Sequence, residues 1–296
     1  MAEVDALTAF AEMGYELFSA LSEHATRPPL RVPLQIKEGD SPEEAARLTR
    51  AALDLPESDP IDHLVHAVER SGVPIFVADI KMPDARHDAF SVWGGDFHEQ
   101  PIVMARPVNS WERTRWSVAH ELGHLVLHRG RSGNVDEEEA NRFANEFLLP
   151  ADLLVAEWPH AVTLSSLMPL KDRWQISLAA LIKHGQNNGL IEDHRVSGLF
   201  KQLSARKDPV TGVTWRIQEP GWSDRQPERP RLISAMTERG LEQSPTASLF
   251  SSLIGWPVDI LEEVVAGQRR APAVEQARMK RSPGRVPDNV IALRRA

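Results

Sequence analysis

The sequence predicts an α+β protein in which a few short strands are set among helices. Three observations carry that expectation. Apolar residues recur at helical spacing near both ends, three short runs of strand-like composition lie between residues 74 and 107, and a long amphipathic stretch follows them directly. The chain has 296 residues, 42% hydrophobic and 26% charged, enough to bury a sizeable core. No apolar run reaches transmembrane length, and MAEVDALTAFAEMGYELF carries acids where a signal peptide needs basic residues, so a cytoplasmic protein with no membrane partner is expected. Without cysteine there are no disulfides and no thiolate ligands, and any metal must be held by nitrogen and oxygen. A net charge of -8 argues against direct nucleic-acid binding, which Lys and Arg supply by neutralising phosphates.

In chain order, Leu7, Phe10, Ala11, Met13, Leu17 and Leu21 place a helix over residues 2–25. A proline-broken stretch follows until SPEEAARLTRAAL, where Ser41 is the cap and Pro42 the first helical residue. Residues 1–57 are thus read as a helical leader. Next come an amphipathic helix closed by Gly72, the strand PIFVADI, and the strand pair AFSVWGG and PIVMARP around a glycine turn. Asn109 or Ser110 caps a helix that begins at SWERTRW, with Glu112 completing a capping box from Asn109. A second helix, VDEEEANRFANEFLLP, stops at Pro150, and WQISLAALIKHGQNNGLI is a further packed helix in preference to a DNA-reading one. Residues 58–186 form the central domain, 187–267 a mainly helical C-terminal region, and 268–296 a solvated tail whose basic residues outnumber its acids.

The stretch AHELGHLVLH carries the chemistry. In H-E-x-x-H the two histidines stand four residues apart, on one helix face and about 6 Å apart along the axis. His120 and His124 can therefore point at one cation. Glu121 is rotated by roughly 100°, out of the ligand set but within reach of water beside it. Chance alone would produce the pattern roughly 0.03 times in a chain of this composition, so a metal site outweighs a core helix with incidental histidines.

A third ligand is needed. His128 lies about 12 Å from His120 along a straight helix, too far for the same ion. It is read as a residue beside the ligands or as a cation favoured by the helix C-terminus. Among the acids at 136–139, Glu137 shares a helical phase with Ala140, Ala144 and Leu148, and a carboxylate on a buried stripe calls for a counter-charge. Glu137 is the expected third ligand and Glu139 the next choice, with Asn141 one turn on as a supporting partner.

Glu137, Ala140, Asn141, Phe143, Ala144, Leu148 and Pro150, in the order E-x-x-A-N-x-F-A-x-x-x-L-x-P, follow HELGH and the preceding ERTRWSVA. Together they resemble the ImmA/IrrE family of metallopeptidases, over about residues 61–241. The resemblance implies a zincin-like fold, a small mixed sheet packed on the HExxH helix with helical extensions at both ends. It implies zinc, or manganese or another divalent ion, held by His120, His124 and Glu137, with Glu121 as general base. It also implies a substrate class, helix-turn-helix repressors whose cutting relieves repression under stress or during mobile-element induction. Many relatives carry an N-terminal helix-turn-helix domain of their own. No recognition helix is evident in residues 1–57, so a repressor substrate is expected on a separate chain.

PIVMA is read as the strand whose edge pairs with an extended substrate through Ile102, Val103 and Met104, or equally as a central strand. No tyrosine stands near the motifs to stabilise an oxyanion, Tyr15 being in the leader. His98, His128, His160 and His184 are the remaining candidates. Two other classes use the same residues: a regulatory module that binds a transcription factor without cutting it, and a two-histidine, one-carboxylate iron oxygenase. An intact Glu121 beside the first histidine suits hydrolysis better than either.

Overall fold

The computed structural model describes residues 2–32, 41–77, 88–108, 110–129, 136–244, 246–259 and 261–262. The elements are α1 (Ala2–His24), α2 (Pro42–Ala52), α3 (Leu64–Arg70), β1 (Ile75–Val77), β2 (Ala89–Gly94), β3 (Gln100–Ala105), α4 (Trp111–Leu127) and α5 (Glu137–Leu148). They continue with α6 (Ala151–Glu157), α7 (Leu164–Trp174), α8 (Leu178–Asn187), α9 (Asp193–Ala205), α10 (Leu232–Gln243) and α11 (Ala247–Ile254). This is the expected α+β architecture, a small mixed sheet packed on the HExxH helix. Asn109, most of the segment after β1 and the basic tail lie outside the described residues.

The termini of the helices follow local chemistry. Ser41 accepts a hydrogen bond from Glu44 N and Pro42 opens α2, as expected. Ser110 caps α4 by accepting from Arg113 N, and its hydroxyl also bonds Glu112. Gly72 takes φ +87 at the end of α3, where a Cβ would meet the Leu30 backbone at 2.8 Å, so glycine is required.

The sheet has the order β1-β3-β2, with β1 parallel and β2 antiparallel to β3. PIVMA is therefore the central strand. Ile102, Val103 and Met104 have neighbours on both sides, and the substrate-pairing edge expected there is not an edge. Among the described residues the outer strand next to α4 is β2.

Side chains alternate across the sheet and divide the core in two. Ile75, Ala89 and Val103 face α4 and join the larger core, which runs from Val32 to Leu203 through α2 to α9. Phe76, Ile102 and Met104 face the other way and pack with Leu17, Phe18 and Leu21 of α1 and with Ile233, Met236, Phe250 and Ile254 of α10 and α11. Core packing thus crosses the boundaries expected at 57 and 187: α1 covers one face of the sheet, and α2 packs on α5.

Buried charge ties the outer segments down. Arg50 of α2 is buried and donates to the carbonyls of Phe147 (2.7 Å) and Asp59 (3.0 Å), while Arg142 of α5 holds Glu43 through two bonds of 2.7 and 2.8 Å. In the segment before α10, Glu219 accepts from Leu178 N and Ala179 N at the start of α8 and pairs with Lys171 (3.1 Å), which also pairs with Glu112. Glu228 accepts from Val65 N and pairs with the buried Arg115 of α4.

Candidate metal centre

Helix α4 forms because Ser110 caps it and an apolar face of Val118, Ala119, Leu122, Leu125 and Val126 buries against the sheet and α5. That burial fixes the rotation of the helix. His120 and His124 then face the start of α5, and Glu121 faces β2. Gly123 lets the two helices approach: a Cβ there would lie 3.0 Å from Phe143 Cδ1 and 3.2 Å from Phe143 Cβ.

The three expected ligands come together. His120 Nε2 and His124 Nε2 are 2.9 Å apart, and Glu137 places carboxylate oxygens 3.2 Å from the first and 3.5 Å from the second. One donor atom from each lies within 4.8 Å of the others, a group able to hold a metal ion. The donor set fits a divalent ion such as zinc, because two imidazole nitrogens and a carboxylate are its usual nitrogen and oxygen ligands. Two nitrogen lone pairs turned toward each other at this range also gain from a cation between them.

Glu137 was expected on the buried stripe, and there the structure differs. It is the first residue of α5, and its side chain is 56% exposed. The carboxylate reaches the histidines from the helix terminus, where phase within the helix no longer decides burial, and it leaves the site open to solvent on that side. Asn141 is half-buried on α5, one turn after Glu137. Glu139 and His128 do join the cluster: His128 Nδ1 is 2.9 Å from His124 Nδ1, and His128 Nε2 is 3.0 Å from Glu139 Oε2.

Glu121 is buried at 5% exposure, and burial, opposed by a hydrogen bond from Ser91 and reinforced by the nearby Glu137 charge, pushes its carboxyl up to about 7. Ser91 Oγ donates to Glu121 Oε2 at 2.8 Å. Ser91 pairs with Val103 in the ladder and so faces α4, between Ala89 and Trp93 on β2. Trp93 Nε1 donates to Leu125 O at 3.2 Å, and Trp116 stacks on His120 with centroids 4.9 Å apart. Sequence reasoning missed Ser91, Trp116 and Gly123. The alternation of AFSVWGG could have placed Ser91 on the same face as Trp93, but not opposite Glu121.

Of the candidate oxyanion groups, His128 stands beside His124. Tyr15 donates to Glu99 at 3.2 Å, beyond the end of β2; His184 is buried against Leu149 O at 2.8 Å; and His160 is exposed. His98 Nδ1 sits 3.1 Å from Trp93 O.

A helix bearing two histidines and a buried glutamate, a carboxylate from the next helix and a small mixed sheet alongside together define a zincin-like metallopeptidase domain. Residues 68–184 match the M78 peptidase family model, described as the IrrE N-terminal-like domain. This part of the chain is similar to that family, the ImmA/IrrE peptidases. No curated protein matches the chain. No helix among the described residues is long and apolar enough to cross a membrane.

Proposed function

We propose that the protein is a zinc-dependent endopeptidase that cuts a helix-turn-helix repressor carried on a separate chain, in the cytoplasm, and so relieves repression in a stress or mobile-element response. The observation that carries the peptidase reading is the pairing of an open ligand cluster with a buried carboxylate next to it, Glu121 being tuned toward neutrality by its surroundings. The substrate class follows from the family resemblance.

His120, His124 and Glu137 would hold the ion. When bound, it supplies Lewis acidity to a peptide carbonyl and acidifies water to a pKa of about 7. Glu121, buried beside the cluster, would take the proton of an attacking water as general base and return it to the leaving amine, work suited to a carboxyl whose pKa lies near the working pH. Ser91 holds the carboxylate in place. The outer strand β2, whose Ser91 and Trp93 bond α4, offers main-chain groups along which an extended substrate can lie across the site.

The test begins with metal content. About one zinc per chain is expected in the wild type, and its loss in His124→Ala and Glu137→Ala. Zinc-loaded protein is then incubated with helix-turn-helix repressors encoded beside its own gene. Glu121→Gln should keep the metal and lose cleavage, by at least about 100-fold. Undiminished turnover in that variant, or a wild type that takes up no metal, would sink the peptidase reading and leave a binding module in its place.

A further inference from the structure

His124 uses its two ring nitrogens in different directions. Nε2 faces His120 Nε2 at 2.9 Å and Glu137 at 3.5 Å, while Nδ1 faces His128 Nδ1 at 2.9 Å. The remaining nitrogen of His128, Nε2, lies 3.0 Å from Glu139 Oε2. The row thus runs from a carboxylate through two imidazoles to the ligand cluster. His128 is buried between the two, and Glu139 is 31% exposed.

With both rings neutral, this geometry admits one arrangement of hydrogens. An ionised carboxylate only accepts, so His128 Nε2 carries a hydrogen and donates it to Glu139. A neutral imidazole has a single N–H, so His128 Nδ1 is an acceptor, and His124 Nδ1 must be the donor to it. His124 Nε2 is then left with its lone pair, the form in which an imidazole binds a metal.

Resting on the metal-centre reading above, we propose that Glu139 and His128 are positioning residues that fix the tautomer and ring orientation of His124 for cation binding. The fold explains how they reach it. His128 is four residues beyond His124 and caps α4 with φ -115 and ψ 13, which lets its ring tilt back at 49° with centroids 5.1 Å apart. Glu139 stands two residues after Glu137, so the first turn of α5 supplies both the carboxylate that faces the cluster and the one that orients its second histidine.

Two measurements test this together. Zinc affinity is measured by competition with a chelator for the wild type, Glu139→Gln, Glu139→Leu and His128→Phe. Long-range proton–nitrogen correlation spectra of metal-free protein labelled with nitrogen-15 at histidine report which ring nitrogen bears hydrogen. We expect the Nδ1–H form at His124 and the Nε2–H form at His128 in the wild type, with mixed forms at His124 in Glu139→Leu. Affinity should fall about 10- to 100-fold in Glu139→Leu and His128→Phe, with substantial recovery in Glu139→Gln, which keeps an oxygen acceptor. An Nε2–H tautomer at His124 in the wild type, or a Glu139→Leu variant that binds zinc like the wild type, overturns the proposal. A wild type that binds no zinc overturns the metal-centre reading instead, and its spectrum still decides the tautomer row. Because that spectrum needs no variant, misfolding of His128→Phe does not remove the test.

Discussion

Glu121 owes its character to two neighbours acting in opposite senses. Burial raises its carboxyl, and the Ser91 hydroxyl, donating at 2.8 Å, draws it down. A general base must be ionised, so activity rises as pH climbs through its pKa. Removing the donor in Ser91→Ala raises that pKa, and the acidic limb of the kcat/KM profile should move to higher pH by about one unit, the worth of one hydrogen bond to a charged group. A profile that stays in place while activity falls would mean that Ser91 matters for strand packing and not for the base.

At the scale of elements, the site depends on how closely α5 lies on α4. Gly123 sets that spacing, with Phe143 filling the room a side chain would need. Gly123→Val should part the helices, move Glu137 and Glu139 off the histidines and weaken zinc binding at least about 10-fold while most helical signal is retained; unchanged affinity would show that the spacing has slack. A second joint links α3 to α10. Glu69 is buried and accepts from Arg231 N and Leu232 N at 2.9 Å, and burial pushes its carboxyl up to about 7. Between pH 4.5 and 7 the folded chain therefore holds a proton that the unfolded chain releases, and stability contributed by this group is present below that window and lost as pH rises through it. Urea midpoints should show the wild type declining relative to Glu69→Gln across the window, by at most about 1.4 kcal/mol per pH unit. Parallel curves would place the titration elsewhere.

For the whole molecule, the sheet is the divide between two cores, and α1 closes the second of them. Phe18, buried at 1% exposure, packs beside Phe76, Ile102 and Met104 on the face opposite α4. Phe18→Ala should cost about 3–5 kcal/mol and lower the urea midpoint of the entire domain, read by the fluorescence of its buried tryptophans. A leader that folded apart from the rest would leave that midpoint unchanged.

The sequence by itself determined the elements that carry the site. The four-residue spacing of His120 and His124, the offset of Glu121, the caps at Ser41 and Ser110 and the acids that open α5 are local features, legible because helical phase and capping act over a few residues. Only the tertiary structure decided that PIVMA lies between β1 and β2, that Ser91 meets Glu121, that Glu137 approaches from an exposed helix end, and that α1 and α2 pack into the body. Strand order and burial depend on contacts between residues far apart in the chain, and no local period encodes which of three short apolar strands lies in the middle. His128 and Glu139 show the division most plainly. Their residue types suggested a place beside the ligands, but only the approach of α5 to α4 turned them into one hydrogen-bonded row.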